Sequence, residues 1–162
     1  MALVKGTNSY VDVAEANTYF ADSVLNDGWI DFDDSQRSQA LVTATSILDD
    51  QPWVGVAAEA TQPLAFPRMG TYYDQRVGRT LRLLNTSTEA PDRVKEATYE
   101  LANHILENDG VLVSSGSVNS LSASGVELMD IETAPVIPSR IRRMYAPLIR
   151  QGRGYRQVFI GA

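Results

Sequence analysis

Two tyrosines and three arginines lie close together in the middle of this chain, a combination that suits binding to a nucleic acid or to a protein. They are Tyr72, Tyr73, Arg76, Arg79 and Arg82, and Asp74 is the only acid among them. Tyrosine rings stack on bases while arginines neutralise phosphates, but both residue types are also enriched at protein interfaces. No pattern of an RRM sheet or an OB barrel surrounds them. We therefore predict an irregular, exposed loop that contacts a neighbouring protein, with binding of single-stranded nucleic acid as the alternative.

Residues that enzymes use for catalysis are sparse. The chain has no cysteine and a single histidine, His104, and one histidine cannot build a catalytic triad by itself. Asp49 and Asp50 are adjacent, but side chains at i and i+1 on a helix do not face one another, so we expect a solvated helix end. Gly116 is not followed by the GK[ST] of a phosphate loop. We predict that the protein is not an enzyme and binds no cofactor or metal.

Length and charge indicate one domain with two regions of opposite charge. A chain of 162 residues can bury roughly 68 to 70% of the surface that its unfolded form exposes. No apolar run approaches the roughly 20 residues of a membrane span or suits a signal peptide, so we expect a soluble protein that stays where it is made. All 20 acidic residues and eight basic ones precede Thr133, whereas six arginines and no acid follow. The acidic body disfavours nonspecific nucleic-acid binding, and the basic tail suggests docking on an acidic surface.

Residues 51–68, called the connector below, are predicted to link two helices. Trp53, Leu64 and Phe66 cannot share one regular helix or strand, because prolines interrupt the stretch. A loop of this length is usually functional or folded over the core by its own side chains. We expect a lid held down by its tryptophan, with Arg68 at its mouth. The proposed anchors are Trp53, Gly55, Leu64, Phe66, Pro67 and Arg68.

Two helices are predicted before the connector. Asp12 and Glu15 have the spacing of a capping box for a helix that runs to about residue 22. Asp33 or Asp34 is predicted to cap a second helix at residues 35–49. Between them, Trp29, Ile30 and Phe32 form a short apolar patch that we place in the core.

Two further helices are predicted after it. The first is capped by Ser87 or Thr88, has Pro91 in its first turn and closes at Gly110. The second is a basic helix at residues 139–150, which Pro147 should kink or end early.

Alternating apolar and polar residues predict β-structure near the C-terminus. Residues 111–132 are typical of a β-hairpin, and residues 155–160 alternate like a strand without an obvious partner in its own chain. Strand addition to another protein would cover that strand. We therefore divide the chain into a helical body with a hairpin, residues 1–132, and a basic helix and tail, residues 133–162. The predicted docking residues of the tail are Arg150, Arg153, Tyr155, Arg156, Val158, Phe159 and Ile160.

The order of these motifs resembles the head-to-tail adaptor proteins of tailed phages. It comprises SYVDVAEANTYF, the W-x-G of Trp53 and Gly55, the Q-x-L-x-F-P-R that ends at Arg68, and the helix that begins near Pro91, followed by a serine-rich hairpin and a terminal helix. The most specific part is the connector. Some relatives carry the label DnaT-like single-stranded-DNA-binding protein, and under that alternative the tyrosines and arginines at 72–82 would bind oligonucleotides.

The resemblance implies a mainly α fold, a small helical bundle with a β-hairpin insertion and an extended C-terminal tail. It also implies a structural virion protein, commonly twelve copies in a ring beneath the portal. The genome passes through the ring with only transient contact, the tail docks on the portal, and another face receives the next neck or tail protein. The expected location is the head–tail junction of the virion, and the host cytoplasm during assembly.

Overall fold

The computed structural model describes residues 2–23, 27–83, 89–108 and 137–150. These segments form five α-helices, one 3₁₀ turn and a three-stranded antiparallel sheet, so the fold is mixed α/β. The helices are α1 (Val13–Ala21), α2 (Asp27–Ile30), α3 (Asp34–Asp49), α4 (Asp92–Glu107) and α5 (Ser139–Tyr145), and the 3₁₀ turn is Ala146–Leu148. The strands are β1 (Val56–Ala57), β2 (Arg68–Asp74) and β3 (Arg79–Leu83). None of these helices has the length and apolarity that a membrane crossing requires.

Capping boxes fix the starts of the first and third helices. The Asp12 side chain accepts a hydrogen bond from the Glu15 N–H, and the Glu15 carboxylate accepts one from the Asp12 N–H. Asp33 and Gln36 make the same reciprocal pair at α3. Each pair satisfies backbone donors that the first helical turn leaves unpaired. Both helix starts confirm the sequence prediction.

The sheet is built on a β-hairpin that joins β2 to β3. Cα pairing runs from Gly70 opposite Leu83 to Asp74 opposite Arg79, and β1 pairs with the first residues of β2. The prediction of an irregular loop for this stretch is therefore wrong. Its apolar residues alternate weakly, because the solvent-facing side carries Met69 and Tyr73 as well as polar residues.

One hydrophobic core lies around α4. Val94, Ala97, Leu101 and Ala102 of α4 are fully buried. They belong to one cluster with buried residues of α1, α3, the connector and α5, which include Phe20, Leu41, Leu48, Trp53, Ile141 and Tyr145. The described part of the predicted tail segment, residues 137–150, thus packs on the same core as the body.

Two predictions for the helical segments need correction. Trp29 is buried, but Ile30, which we placed in the core, is 62% exposed at the end of the short helix α2. Helix α4 begins at Asp92 with Pro91 as its N-cap, so the capping role predicted for Ser87 or Thr88 is wrong. The last predicted helix ends early, as expected: α5 stops at Tyr145, and the chain continues as the 3₁₀ turn that contains Pro147. The hairpin predicted at 111–132 and the strand at 155–160 lie outside the described residues.

Candidate functional site

The connector is held to the body by its aromatic side chains. Trp53 is only 3% exposed, and its ring centroid lies 5.0 Å from that of Phe66 and 5.5 Å from that of Tyr145. Phe66 also meets Tyr10 edge-on at 6.0 Å, and Leu64 is buried beside them. The Phe66–Pro67 peptide bond is cis. These contacts join the connector to α5 and to the segment before α1.

Polar contacts fix the connector as well. The Asp49 carboxylate accepts hydrogen bonds from the Tyr10 hydroxyl and, at 2.7 Å, from the Ala65 N–H. Burial, reinforced by the bond to Asp49, raises the pKa of Tyr10, so the phenol stays protonated as a donor. Asp49 is therefore tied to the connector, and its predicted place at a solvated helix end is wrong. Asp50 is exposed, as expected for that end.

Arg68 points back into the connector, so the predicted position at the mouth of the lid is wrong. Its guanidinium donates to the carbonyls of Val54 at 2.8 Å, Gly55 at 2.8 Å and Ala65 at 3.3 Å. Burial lowers its pKa, and the positive charge of Arg150 adds to that effect. Because the Arg68 guanidinium donates to carbonyls near both ends of the connector, it holds those two ends together.

Gly55 marks the closest approach between the connector and the sheet. Its φ is +75°, in the left-handed region that favours glycine. A Cβ built at Gly55 would lie 2.2 Å from the Met69 carbonyl oxygen. Any side chain at this position would therefore push the connector away from β2.

The opposite side of the sheet faces solvent and is called the outer sheet face below. Val56 pairs with Met69, and side chains at 69, 71 and 73 share one face of β2 because strand residues alternate. Val56, Met69 and Tyr73 are 59%, 39% and 56% exposed. The register adds one arginine and one threonine from β3, so the face consists of Val56, Met69, Thr71, Tyr73, Thr80 and Arg82. It is an apolar and cationic surface without a covering element among the described residues.

A buried ion pair attaches the hairpin to the helices. The Arg93 Nε donates to the Asp74 carboxylate at 2.9 Å, a second guanidinium nitrogen bonds the other oxygen, and Nη1 donates to the Met144 carbonyl at 3.0 Å. Both side chains are more than nine-tenths buried. The hydrogen bond from Arg93 lowers the pKa of Asp74 to about 2. The pair therefore joins β2, α4 and α5.

Beside this ion pair lies a groove of about 840 Å³ between the hairpin, α4, α5 and the 3₁₀ turn. We call it the basic groove, because exposed Arg76, Arg140 and Arg143 line it with one acid, Glu96. Arg140 lies 3.4 Å from the Glu100 carboxylate, and its side chain stays 62% exposed. The half-buried apolar residues that line the groove are Val54, Tyr72, Met144, Pro147 and Ile149. An anionic group that carries an apolar neighbour would match this lining.

Comparison with known protein families identifies the family of this chain. A family model described as "Putative DnaT-like ssDNA binding protein" matches residues 2–159. The chain belongs to this family. Searches of curated proteins and of solved structures found no match. The connector, the outer sheet face and the basic groove of this DnaT-like chain all lie inside the matched region.

The structure of this DnaT-like family member separates the five tyrosines and arginines that the sequence groups together. Tyr73 and Arg82 lie on the outer sheet face, and Tyr73 also borders the basic groove. Tyr72 is half-buried on the other side of β2 and lines the same groove. Arg76 stands in the turn at the rim of the groove, and Arg79 is exposed at the start of β3. Two neighbouring surfaces therefore replace the single predicted loop.

The tail residues are described only at their start. Arg150 is exposed, and its N–H donates to the Pro52 carbonyl at 2.7 Å. The bridge between Trp53 and Ile149 next to it attaches the end of the 3₁₀ turn to the connector. The other predicted docking residues, Arg153, Tyr155, Arg156, Val158, Phe159 and Ile160, lie outside the described residues.

Sequence reasoning missed the charged residues that organise this region. Arg93 lies four residues before Ala97 and eight before Leu101, on the buried side of α4, and a charge on an apolar stripe indicates a buried partner. Nothing in the sequence identifies Asp74 as that partner. His104 is half-buried, with its Nδ1 3.1 Å from the Asn108 side-chain nitrogen. Within the described residues, no three His, Asp or Glu side chains come together to hold a metal ion.

Proposed function

We propose that this protein is a structural adaptor of a tailed-phage virion. Several copies, twelve in the expected assembly, form a ring under the portal and join the capsid to the neck or tail. The genome passes through the ring. The motif order described above supports this function, and so does the distribution of exposed side chains.

The observation that carries the proposal is the outer sheet face. Three large apolar side chains, Val56, Met69 and Tyr73, are exposed on one face of the sheet, which also presents Arg82. Contiguous exposed apolar residues with a polar border mark interaction sites, and Tyr, Met and Arg are enriched at protein interfaces. A rigid sheet tied to the core by Arg93 and Asp74 presents such a surface to a macromolecular neighbour.

The start of the tail fits the same function. The connector holds the chain at Ile149 and Arg150 through paired backbone groups, so the start of the tail is fixed to the body. In the proposed assembly the basic tail docks on the portal and the outer sheet face contacts a neighbouring protein of the ring or neck.

The decisive experiment is negative-stain imaging of the full chain mixed with capsids that carry a portal but no neck. We expect added ring-shaped density at one vertex. Deletion of residues 152–162 should leave the body folded and abolish attachment. Wild-type protein that adds no density at any vertex would overturn the adaptor function.

A matched pair of variants tests the role of the outer sheet face. Met69→Ser with Tyr73→Ser should reduce vertex occupancy, because it removes apolar area from the contact. Val4→Ser removes an apolar side chain that is 50% exposed at another site and should leave occupancy unchanged. Equal occupancy by both variants would assign the contact to a different surface.

Single-stranded DNA binding is the second candidate, favoured by the family description and by the basic groove. Tyr72 could stack a base there while Arg76, Arg140 and Arg143 neutralise phosphates. This geometry differs from the predicted loop, because Arg79 and Arg82 do not line the groove.

Oligonucleotide titration at several salt concentrations separates the two candidates. If the groove binds single-stranded DNA, affinity should fall with salt, and the logarithm of the binding constant should change with the logarithm of salt concentration by about −0.7 per phosphate neutralised. Arg143→Gln should weaken binding. Arg142→Gln, at an exposed position outside the groove lining, should not. The adaptor function predicts little affinity and no difference between the two variants.

A further inference from the structure

The short segment after α2 presents an unusual exposed group. Ile30 is the most exposed large apolar side chain that the structure describes, at 62%. Asp31, Asp33 and Asp34 follow it and are all exposed. We call residues 30–34 the acidic corner. Arg37 forms an ion pair with Asp34, which offsets part of the negative charge of the corner. The same guanidinium donates to the Trp29 and Ile30 carbonyls.

The acidic corner and the basic groove lie at opposite ends of α4. Phe32 shares a small cavity with Ile105 and Leu106, and Gly28 lies against the Glu107 side chain, so the corner is next to the C-terminal end of the helix. The groove is lined by Arg93 and Glu96 near its N-terminal end. Twelve residues at 1.5 Å each separate Arg93 from Ile105 by about 18 Å along the axis. One copy cannot place its own corner in its own groove.

The two surfaces complement each other in charge and in polarity. The corner has an apolar side chain flanked by carboxylates, and the groove has half-buried apolar residues flanked by exposed arginines. Opposite potentials steer partners together and fix their register. Insertion of Ile30 among Tyr72, Met144 and Ile149 would remove an exposed apolar side chain from water.

We propose that the basic groove of each copy accepts the acidic corner of a second copy. The contact is heterologous, since each copy contributes a different surface, and contacts of this kind generate rings when the rotation closes. The inference rests on the proposed adaptor function for the ring, and it identifies the surfaces that meet between neighbouring copies.

Cysteine cross-linking tests the contact directly, because the chain has no native cysteine. The full chain carries Ile30→Cys in the corner and Ala146→Cys in the groove, where Ala146 is an exposed lining residue. A short bismaleimide is added to the free protein and to the protein bound at capsid vertices. The double variant should give a ladder of covalent trimers and longer species.

Each single variant should give dimers at most. The matched control pairs Ala146→Cys with Val4→Cys, which places a thiol at another exposed apolar position, and should form no ladder. A ladder in this control, equal to that of the double variant, would overturn the proposal.

The outcomes separate this inference from the adaptor function. Vertex attachment without a ladder overturns the inference and leaves the adaptor function in place. A ladder without attachment supports the inference and counts against the adaptor function. The absence of both overturns both.

Charge reversal gives an independent test that requires complementary surfaces. Asp31→Lys with Asp34→Lys reverses the corner while keeping the Asp33 cap, and Arg140→Glu with Arg143→Glu reverses the groove. Each variant alone should self-associate at least about tenfold more weakly than wild type in sedimentation velocity, since both of its surfaces then carry the same sign. An equimolar mixture should recover association, and a mixture as weak as its components would overturn the proposal.

Discussion

The connector and the hairpin that follows it are neighbours in sequence and similar in composition, but several of their aromatic and arginine side chains have different surroundings. Each contains aromatic residues, an arginine and a glycine with positive φ. In the connector, Trp53 and Phe66 are buried and the Arg68 donors are bound to backbone carbonyls. In the hairpin, Tyr73 and Arg82 face solvent. Residue type alone thus does not separate a structural segment from an interaction surface, whereas burial and hydrogen-bond satisfaction do.

The largest contrast should come from the two aromatic residues. Trp53→Ala should lower the free energy of unfolding by about 3 to 5 kcal/mol, as removal of a buried tryptophan leaves a cavity. Tyr73→Ala, on the exposed face, should stay within about 0.5 kcal/mol of wild type. Urea denaturation measures both. Similar losses for the two variants would mean that the outer sheet face is part of the core.

The losses of stability caused by alanine at the two glycines should differ by a smaller amount. Gly55→Ala should cost about 2 to 4 kcal/mol, because it combines a left-handed residue with a clash against the Met69 carbonyl. Gly78, in the hairpin turn, has a similar φ of +69° but open space around it, so Gly78→Ala should cost only about 1 to 2 kcal/mol. Thermal unfolding of the two variants measures the contribution of the clash. Equal losses of stability would mean that the connector shifts to accommodate the new methyl group at little cost.

The losses of stability caused by methionine at the two arginines should differ by a still smaller amount. Arg68→Met leaves three connector carbonyls without their donors and should cost about 1 to 3 kcal/mol. Arg82→Met should change stability by no more than about 0.5 kcal/mol. Denaturant midpoints of both variants provide the comparison. A loss at Arg82 as large as that at Arg68 would contradict the exposed role of the hairpin.

The last contrast depends on pH and concerns the ion pair that links the hairpin to the core. The pKa of Asp74 is lowered from an ordinary value of 3.8 to about 2 by its hydrogen bond from Arg93. Its ionised form therefore stabilises the fold above about pH 4, and this contribution should decline as the pH falls through 2. Thermal unfolding between pH 5 and 2 measures this decline. The exposed control Asp50→Asn keeps the Asp74 carboxylate and should show the full decline, whereas Asp74→Asn should show a smaller one.

Local patterns were sufficient to predict much of the helical framework. The capping boxes at Asp12 and Asp33 and the early end of the last helix before Pro147 follow from contacts within a few residues. These features depend on backbone groups that neighbouring side chains satisfy, so they are readable from sequence.

Features that depend on distant residues were not predictable in the same way. The hairpin was missed because its outer face carries apolar and aromatic residues that obscure the alternation. The pairing of Asp74 with Arg93, and of Asp49 with the Ala65 N–H, joins residues far apart in sequence. The basic groove likewise combines side chains from the hairpin, α4 and α5, and no local window contains all three.

The attachment of residues 148–150 to the connector also has a mechanical consequence. The Val54 N–H donates to the Leu148 carbonyl at 2.8 Å, and the Arg150 N–H donates to the Pro52 carbonyl at 2.7 Å, on either side of the Trp53–Ile149 pair. A pull on the residues after Arg150 is therefore divided between two paths. Part of the load enters α5 through the covalent chain, and part enters the connector through these bonds, where the buried ring of Trp53 resists it. Tension exerted by a docked partner would thus be borne by the hydrophobic core from two directions.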